Sequence, residues 1–413
     1  MRREQGVAGQ PHDQSEHAEQ GSVHDLASAS LALPGPRLQV RVHAFHDWRR
    51  DTFADPASEN GLGYQDNRDV TQSFGGHAET SVFLPALQWV GVSLDARHES
   101  FLPWRGYPRP EHAVPEQSRT VTELGLENRL QVLGGRLRLQ GDLRRIRAAD
   151  DFSGDVTTAH SRHPAVSAER EYLEPQAGLR LRLLPGVHVE WSYGEHHRTP
   201  GFLELFGDAG AIAGSSDLVA EEGTHRDYGL DLEQPILGLQ VQAELAHYSN
   251  RTDHLITYIP TSQRVFVARN IGSARMQGEE AAWRIAPRGD RPRWRFEGSY
   301  THQHTEDLGV DRSWYAGNAL PGRPEHRLHT RFGVALGPAA VAYQYDHMGR
   351  NYLDQLNLMV VGRRDLHGLD LDVRMRAVTL RLAGRNLTND QAVDVAGFPV
   401  PGRTWSLSSA IRF

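Results

Sequence analysis

The sequence of 413 residues contains no cysteine and no run of 18 apolar residues. The lack of cysteine excludes disulfide bonds, which fits a periplasm-exposed protein and also many cytosolic proteins. A membrane-spanning helix needs an apolar run of about that length, so a helical membrane protein is excluded. The mean hydropathy of −0.55 does not exclude a lipid-embedded β-barrel, because only every second residue of each strand would face lipid.

Several other features are missing from the chain. The formal net charge of −7 argues against nucleic acid as a partner. The first 21 residues are polar and contain no apolar core of a signal peptide. We find no phosphate-binding loop, no nucleophile elbow and no GxGxxG sequence before a helix. We therefore predict that the chain is not an enzyme and uses no cofactor.

Short turns recur along the chain at intervals of roughly 50 residues, which is the kind of regularity that repeated strand pairs produce. Most of the turns contain Gly or Pro, whose backbone limits suit tight reversals. They lie at Leu33–Pro36, Leu84–Ala86, Gly134–Gly135, Leu184–Gly186, Pro235–Gly238, Arg288–Asp290, Gly337–Pro338 and Arg376–Ala377. Apolar and polar residues alternate on both sides of each turn, which predicts strands of roughly a dozen residues.

The connections between successive pairs of strands are long and polar. They cover Arg50–Val70, Leu102–Gln117, Asp150–Arg170, His197–Thr224, Arg251–Asn270, Glu306–Gly322 and Arg350–Asp365. Strand alternation by itself also fits a soluble sandwich. Long loops at one rim and short turns at the other are typical of an outer-membrane barrel with periplasmic turns and extracellular loops.

The last stretch, from Gly402 to Phe413, indicates the same architecture. Trp405, Leu407, Ile411 and Phe413 fall on one face of an extended chain that ends on an aromatic residue. Such a terminus is typical of the closing strand of an outer-membrane barrel, in which these four residues contact lipid and serve membrane assembly. The expected partners are therefore outer-membrane lipid and the barrel-assembly machinery.

We predict an all-β fold, a transmembrane antiparallel β-barrel of about 17 strands within a range of about 16–18. Residues 22–413 form the barrel, and residues 1–21 form a polar segment that belongs to a surface loop.

Four elements, in order along the second half of the chain, resemble TonB-dependent outer-membrane receptors. Arg198, Pro200, Phe202, Glu204, Leu205 and Phe206 match the R-x-P-x-F-x-E-L-F segment of that family. Gly214, Leu218 and Glu221 keep part of a G-N-P-x-L-x-P-E element whose Asn and prolines are replaced. Asn270, Gly272, Gly278 and Glu280 are similar to an N-x-G-x-A…G-x-E strand. Asn386, Leu387, Pro401, Gly402 and Arg403 resemble the NLTD and P-x-P-G-R elements.

The resemblance implies a barrel of about 22 strands with a plug domain, a segment that recruits TonB, and a location in the Gram-negative outer membrane. It also implies a scarce nutrient as cargo, such as a ferric siderophore or another metal chelate. This sequence shows no recognisable recruiting segment and no room for a plug, so we expect an N-terminally truncated receptor. TonB is then a partner only of a full-length form that carries the plug.

Three functions follow from these observations. The first is an outer-membrane receptor for energy-dependent uptake of a ferric siderophore or similar nutrient. The second is a truncated, non-transporting barrel or an unplugged pore, and the third is a soluble β-sheet protein that binds carbohydrate. Genomic sequence upstream would separate the first two.

Charged and metal-binding side chains do not by themselves identify a ligand. Arginines on the predicted lumen face, such as Arg144, Arg381 and Arg385, could attract an anionic ligand or be compensated by Asp and Glu across strands. The 22 histidines show no spacing with Asp or Glu that defines a metal site, so no metal and no ligand-binding residue is assigned.

Overall fold

The computed structural model describes residues 2–6, 15–59, 64–85, 88–105, 116–152, 156–157, 162–163, 166–207, 212–260, 266–289, 293–309, 314–395 and 398–411. Within these ranges, no helix has the length and apolar character needed to cross a membrane. Contacts divide the chain into two compact units. Unit 1 is Met1–Gly178, Gly194–Thr224 and Thr252–Ile271, and unit 2 is Leu179–Tyr193, His225–Arg251 and Gly272–Phe413.

The described elements are almost all strands. The first half contains β1 (Arg2–Gly6), β2 (Glu19–Pro34), β3 (Leu38–Asp55), β4 (Gln65–Leu84), β5 (Gln88–Arg105), β6 (Gln117–Val132), β7 (Leu137–Phe152), β8 (Val156–Thr157), β9 (Arg162–His163), β10 (Val166–Leu184), β11 (Val187–Arg198), α1 (Phe202–Phe206) and β12 (Ile212–Ala213). The second half contains β13 (Glu221–Ile236), β14 (Leu239–Asp253), β15 (Ile256–Pro260), β16 (Phe266–Asn270), β17 (Ser273–Pro287), β18 (Trp294–Gly309), β19 (His326–Leu336), β20 (Ala339–Met348), β21 (Asn351–Tyr352), β22 (Val360–Val361), β23 (Arg364–Met375), β24 (Val378–Arg385), β25 (Val393–Val395), β26 (Phe398–Pro399) and β27 (Thr404–Ile411).

Short and long connections alternate along the chain, as predicted. The predicted turns fall where one strand ends and the next begins, although Ala86 and Asp290 lie outside the described residues. In the loop after Val132, both Gly134 and Gly135 have positive φ. The long connections contain α1 and the small pairings β8–β9, β12–β16–β15, β21–β22 and β25–β26. Many strands extend into the segments predicted as loops, and β4 reaches 20 residues where about a dozen were expected.

One large sheet contains 18 of the described strands, at the upper end of the predicted range. The strand beyond the 17 counted from the sequence is β1, which pairs with β2 in antiparallel register. Its sequence, RREQG, has no alternation of apolar residues, so the pattern could not reveal it. The prediction that residues 1–21 belong to a surface loop remains a prediction, although this short strand lies within it.

In each unit, the strands of the large sheet have one apolar and one polar face. In unit 1, cross-strand partners from β2 to β6 form the apolar row Leu31, Val42, Ala78, Leu94 and Leu124. In unit 2, partners on β18, β19, β20, β23, β24 and β27 form the row Trp294, Val334, Val341, Leu371, Leu382 and Leu407. The opposite face carries partners such as Arg41 and Glu79. The predicted alternation of apolar and polar side chains is therefore confirmed. On the polar face, Arg41 lies opposite the carboxylate of Glu79.

Asp370 of β23 shows how the polar face of unit 2 is compensated. Its side chain is only 1% exposed and lies 3.1 Å from Arg331, 3.3 Å from Arg381 and 2.8 Å from Arg385. In unit 1, Arg144 lies 3.6 Å from Glu123. The interpretation in which acidic groups compensate these arginines across strands is thus the one that the contacts support.

A charge on the apolar face of β27 should weaken membrane assembly. Ile411 is 58% exposed and lies opposite Val378 on that face. Ile411→Asp is expected to cost up to about 2 kcal/mol when the face contacts lipid, because Asp costs less than Arg or Lys and less near an interface. Heat-modifiable mobility and surface labelling measure the assembled fraction. Ala410→Asp, on the opposite face, is the matched control, and equal assembly of both variants would contradict the assigned orientation. The same loss is expected for Phe413→Asp, although Phe413 lies outside the described residues.

The N-terminal segment of unit 1 is tied to the connection after β3 by one carboxylate. Glu59 accepts hydrogen bonds from the hydroxyl of Ser15 and from the backbone N–H groups of His17 and Ala18. Its other oxygen lies 2.9 Å from Nδ1 of His17. The hydrogen bond with the His17 side chain, followed by the other bonds, lowers the pKa of Glu59 from 4.5 to about 2. The hydrogen bond between the two side chains also raises the pKa of His17 above 6.5.

This tie should be strongest between pH 4.5 and pH 6.5, where both groups carry their charge. The contribution of Glu59 is complete above 4.5 and is lost as the pH falls toward about 2. The contribution of His17 is complete below 6.5 and is lost as the pH rises through its raised pKa. An NMR titration of the His17 ring should therefore give a midpoint above 6.5 that decreases in Glu59→Gln. An identical midpoint in both proteins would show that the contact does not form in solution.

Candidate functional site

The connection after β11, with the strand ends on either side of it, contains the residues of the first two motif elements. Its apolar half is built around α1. Leu205 and Phe206 of this helix are buried together with Leu218. The ring of Phe206 lies 5.7 Å from Phe101 and 5.1 Å from Phe152, the latter edge to face. Burial of each large apolar side chain contributes about 1.5–3 kcal/mol. The cluster therefore fixes α1 against β5 and β7 of unit 1.

The ionic half of this connection is an arginine held by two carboxylates. Arg198, the last residue of β11, donates from Nε and Nη2 to both oxygens of Glu221 at 2.8 and 2.7 Å. Its Nη1 donates to Glu204 at 2.8 Å. Such forked pairs combine strength with a defined direction. Arg198 and Glu204 of the first motif element are thus brought together with Glu221 of the second.

Both carboxylates also hold backbone groups. Glu204 accepts from the N–H of Gly201, which caps the start of α1. Glu221 accepts from the N–H of Ile256, the first residue of β15. The ionic cluster therefore links three segments: the end of β11, α1 and β15. Pro200 lies between the first two of these segments, and its carbonyl accepts a further hydrogen bond.

That further bond comes from a buried ion pair that the sequence did not reveal. Arg119 of β6 donates to the Pro200 carbonyl at 2.7 Å and to Asp150 of β7, its direct partner in the ladder. The side chains of Arg119 and Asp150 are 4% and 1% exposed. Arg170 also donates to Asp150, at 2.6 Å. The guanidinium of Arg119 lies 5.6 Å from the ring of Phe202, so it joins the ionic and apolar halves.

Asn270 and Gly214 close the same connection from the other side. The side chain of Asn270 accepts from the Val219 N–H and donates to the Val219 carbonyl, which binds both polar groups of one residue. A Cβ atom at Gly214 would lie 2.5 Å from the backbone nitrogen of Gly207, so only glycine fits there. The second and third motif elements therefore act on the segment that follows α1.

The remaining residues of the third element lie along the start of β17. Gly272 precedes this strand, and Gly278 and Glu280 lie within it. A Cβ atom at Gly278 would be 2.9 Å from the Cα of Gln303 on β18, a distance that side chains essentially never show. Gly278 thus allows the close approach of two strands. Glu280 lies opposite Thr301 in the same ladder.

The fourth element forms a compact turn before β27. The Asn386 side chain donates to the carbonyls of Asp390 and Pro401 and accepts from the Asp390 N–H. Asn389 accepts from the N–H of Arg403. A Cβ atom at Gly402 would lie 2.8 Å from Oδ1 of Asn389, so a larger residue there would displace that side chain.

The last strand follows directly from this turn. Leu387 follows Asn386, and its N–H donates to the carbonyl of His367. Trp405, Leu407 and Ile411 lie in β27 on one face, opposite Gly384, Leu382 and Val378. The turn therefore delivers the terminal strand to its neighbour in register.

Arg198, Glu204, Gly214, Glu221 and Asn270 have the geometry of a structural clamp rather than of a cargo pocket. The cavity lined by Arg119, Asp150, Phe206 and their neighbours has a volume of about 20 Å³. Such a space holds about one water molecule. These residues hold a rim connection in place, and they leave no room for a metal chelate. Arg119 and Asp150 escaped the sequence analysis because only the β6–β7 register brings them together.

Comparison with known proteins identifies the family of this arrangement. Residues 9–387 match the family described as TonB-dependent receptor-like, β-barrel. A sequence search of curated proteins finds no significant match.

Solved structures with a similar fold include the copper transporter OprC, with a TM-score of 0.73 and 16% identity over 96% of this chain and 66% of the other. The ferric-catecholate import receptor Fiu from K12 E. coli has a TM-score of 0.72 and 14% identity over 97% of this chain and 65% of the other. The FrpB iron transporter from Neisseria meningitidis (F5-1 variant) has a TM-score of 0.74 and 12% identity over 100% of this chain and 68% of the other.

This chain therefore spans about two thirds of the length of those structures. The resemblance of its four motif elements agrees with the family match, which covers most of the sequence. The family and the similar structures are receptors and transporters, which at that level agrees with the prediction that the chain is not an enzyme. The chain belongs to the TonB-dependent receptor β-barrel family.

Proposed function

We propose that this chain is the membrane barrel of an outer-membrane receptor for energy-dependent uptake of a scarce nutrient, such as a ferric siderophore or a similar metal chelate. The observation that carries the proposal is the row of apolar side chains that crosses the strands of each unit, one row in unit 1 and one in unit 2. Leu31, Leu94 and Leu407 in these rows are 59%, 53% and 74% exposed. A contiguous apolar face of this kind suits hydrocarbon and is unfavourable in water.

The polar faces support passage of a hydrophilic cargo. Concavities of about 590 Å³ in unit 2 and about 530 Å³ in unit 1 are lined by charges of both signs, including Arg180 and Asp231 in the first and Arg41 and Glu79 in the second. The similar structures include a copper transporter, a ferric-catecholate import receptor and an iron transporter, which supports a metal-containing cargo here. TonB, outer-membrane lipid and the assembly machinery are the proposed partners, with TonB acting on a form that carries a plug.

A pore without transport is the second candidate, because 18 strands belong to the large sheet. Barrels of about 16–18 strands leave an aqueous channel when nothing fills the lumen. Such a pore would conduct ions continuously and would need neither TonB nor a specific cargo.

Uptake by cells that lack their own iron receptors separates the two candidates. A form of the chain that carries a plug is exported to the outer membrane and tested with a radiolabelled ferric catecholate, ferric citrate and a copper salt, with and without TonB. We expect saturable, TonB-dependent uptake of one of these probes, and no uptake with Ile411→Asp if that variant fails to assemble. Continuous conductance in planar bilayers without TonB-dependent uptake would favour the pore and overturn the receptor proposal.

A further inference from the structure

Two histidines and a glutamate of unit 2 converge where β18 meets β19, apart from all four motif elements. His302 and His326 lie directly opposite each other in the ladder, and Glu325 immediately precedes β19. Nε2 of His302 lies 3.9 Å from Oε1 of Glu325, and Nε2 of His326 lies 3.8 Å from the same oxygen. Ligand atoms of all three residues lie within 4.8 Å of one another. Two imidazoles therefore direct the same ring nitrogen toward one carboxylate.

The other ring nitrogens are held by neighbouring strands. Nδ1 of His302 lies 3.0 Å from Oε2 of Glu279, its direct partner on β17. Nδ1 of His326 lies 3.0 Å from the hydroxyl of Tyr300. A carboxylate accepts the Nδ1 proton of His302, which leaves the lone pair on Nε2. Histidines that bind metals commonly donate their second nitrogen to a carboxylate in this way, which fixes the ring orientation.

We propose that His302, His326 and Glu325 form a binding site for a divalent transition-metal ion of the Zn²⁺ class. Two imidazole nitrogens and one carboxylate oxygen are a ligand set that such ions accept, with a further position open to water. Tetrahedral metal–ligand bonds of about 2.0–2.2 Å separate ligand atoms by roughly 3.3–3.6 Å. The distances to Glu325, 3.9 and 3.8 Å, exceed that range by a few tenths of an ångström, so small ring rotations complete the site.

The position of the cluster makes it accessible to ions from the aqueous side. The side chains of His302, His326 and Glu325 are 40%, 41% and 49% exposed. The cluster shares a face with Trp294 of the apolar row, and the strand from Trp294 to His302 spans roughly 26 Å at 3.3 Å per residue. At the tilt of about 35–45° usual for such strands, this stretch rises roughly 19–22 Å within an apolar band about 25 Å tall, so the cluster lies near the end of the band opposite Trp294. The bound ion would link β18 to β19 there.

Metal titration of the untagged full chain in detergent, freed of lipopolysaccharide, tests the site. We expect one Zn²⁺ per chain by calorimetry, and Co²⁺ should give visible d–d absorption that Zn²⁺ displaces. Removal of an outer-shell carboxylate lowers metal affinity by about 10–100-fold, so Glu279→Gln should weaken binding by that factor. His302→Ala and His326→Ala should weaken binding further, and Glu279→Asp should restore part of it.

His304→Ala is the matched control, because His304 lies on the same strand and the same face, two positions beyond His302. It should bind Zn²⁺ as the unchanged protein does. Far-UV circular dichroism and heat-modifiable mobility report whether each variant still folds. The proposal is overturned if the unchanged protein binds no stoichiometric metal, or if a folded His302→Ala, His326→Ala double variant binds Zn²⁺ with the same affinity.

Discussion

Asp150→Asn is expected to lower the free energy of unfolding by about 3–5 kcal/mol, because it leaves the buried guanidinium of Arg119 without its carboxylate. The amide keeps the shape of the side chain, so the loss reports the charge rather than a cavity. Arg119 is 4% exposed and would retain its bonds to the Pro200 carbonyl and the Thr199 hydroxyl and its contact with aromatic rings. Urea unfolding of the protein in detergent measures the change through the transition midpoint.

An exposed pair from the same unit provides the matched control. Arg145 and Glu171 lie 2.8 Å apart, but their side chains are 63% and 47% exposed. Solvent screens such a pair, so Glu171→Gln should change stability by about 0–1 kcal/mol. Similar midpoints for Asp150→Asn and Glu171→Gln would mean that Arg119 and Asp150 are not buried in the folded protein.

Phe206→Ala is expected to lower the free energy of unfolding of unit 1 by about 3–5 kcal/mol, the cost usual for removing a buried phenylalanine. Phe206 is 2% exposed and packs against Phe101 and Phe152, so its removal leaves a cavity between α1 and two strands. We also expect faster protease cleavage within residues 199–220, because the helix loses its main anchor.

Leu203→Ala tests whether this loss is specific to the buried face of α1. Leu203 belongs to the same five-residue helix but is 44% exposed. Its replacement removes a side chain of similar character without opening a cavity, so stability should change by less than about 1 kcal/mol. Equal destabilisation by the two variants would show that α1 is not held by its aromatic face.

These two predictions test the ionic half and the apolar half of the connection after β11, the segment that carries the first motif element. The spacing of Arg198, Glu204 and Glu221 serves contacts that organise a loop, since the carboxylates hold backbone N–H groups as well as the arginine. The residues that select a cargo are to be sought on the polar faces, where open concavities of several hundred cubic ångströms exist.

Local chemistry determined much of the fold in advance. Turns such as Gly134–Gly135 and Gly337–Pro338 are recognisable because few residues tolerate the backbone angles of tight reversals. Strand faces are recognisable because side chains alternate, so Leu137, Leu139 and Leu143 fall together whatever their partners are. The resemblance to the family was recognisable because the four motif elements occur in the family's order along the chain.

Only the tertiary structure decided which distant residues meet. Arg119 meets Asp150, and His302 meets Glu325 and His326, through the register of paired strands. Register depends on many weak cross-strand contacts summed over a whole ladder, and a shift of one residue would move every side chain to the other face. The same reason hid β1, whose five residues show no alternation of their own and become a strand through pairing with β2. Sequence thus determined the alternation and the turns, and the packing of the strands determined the sites.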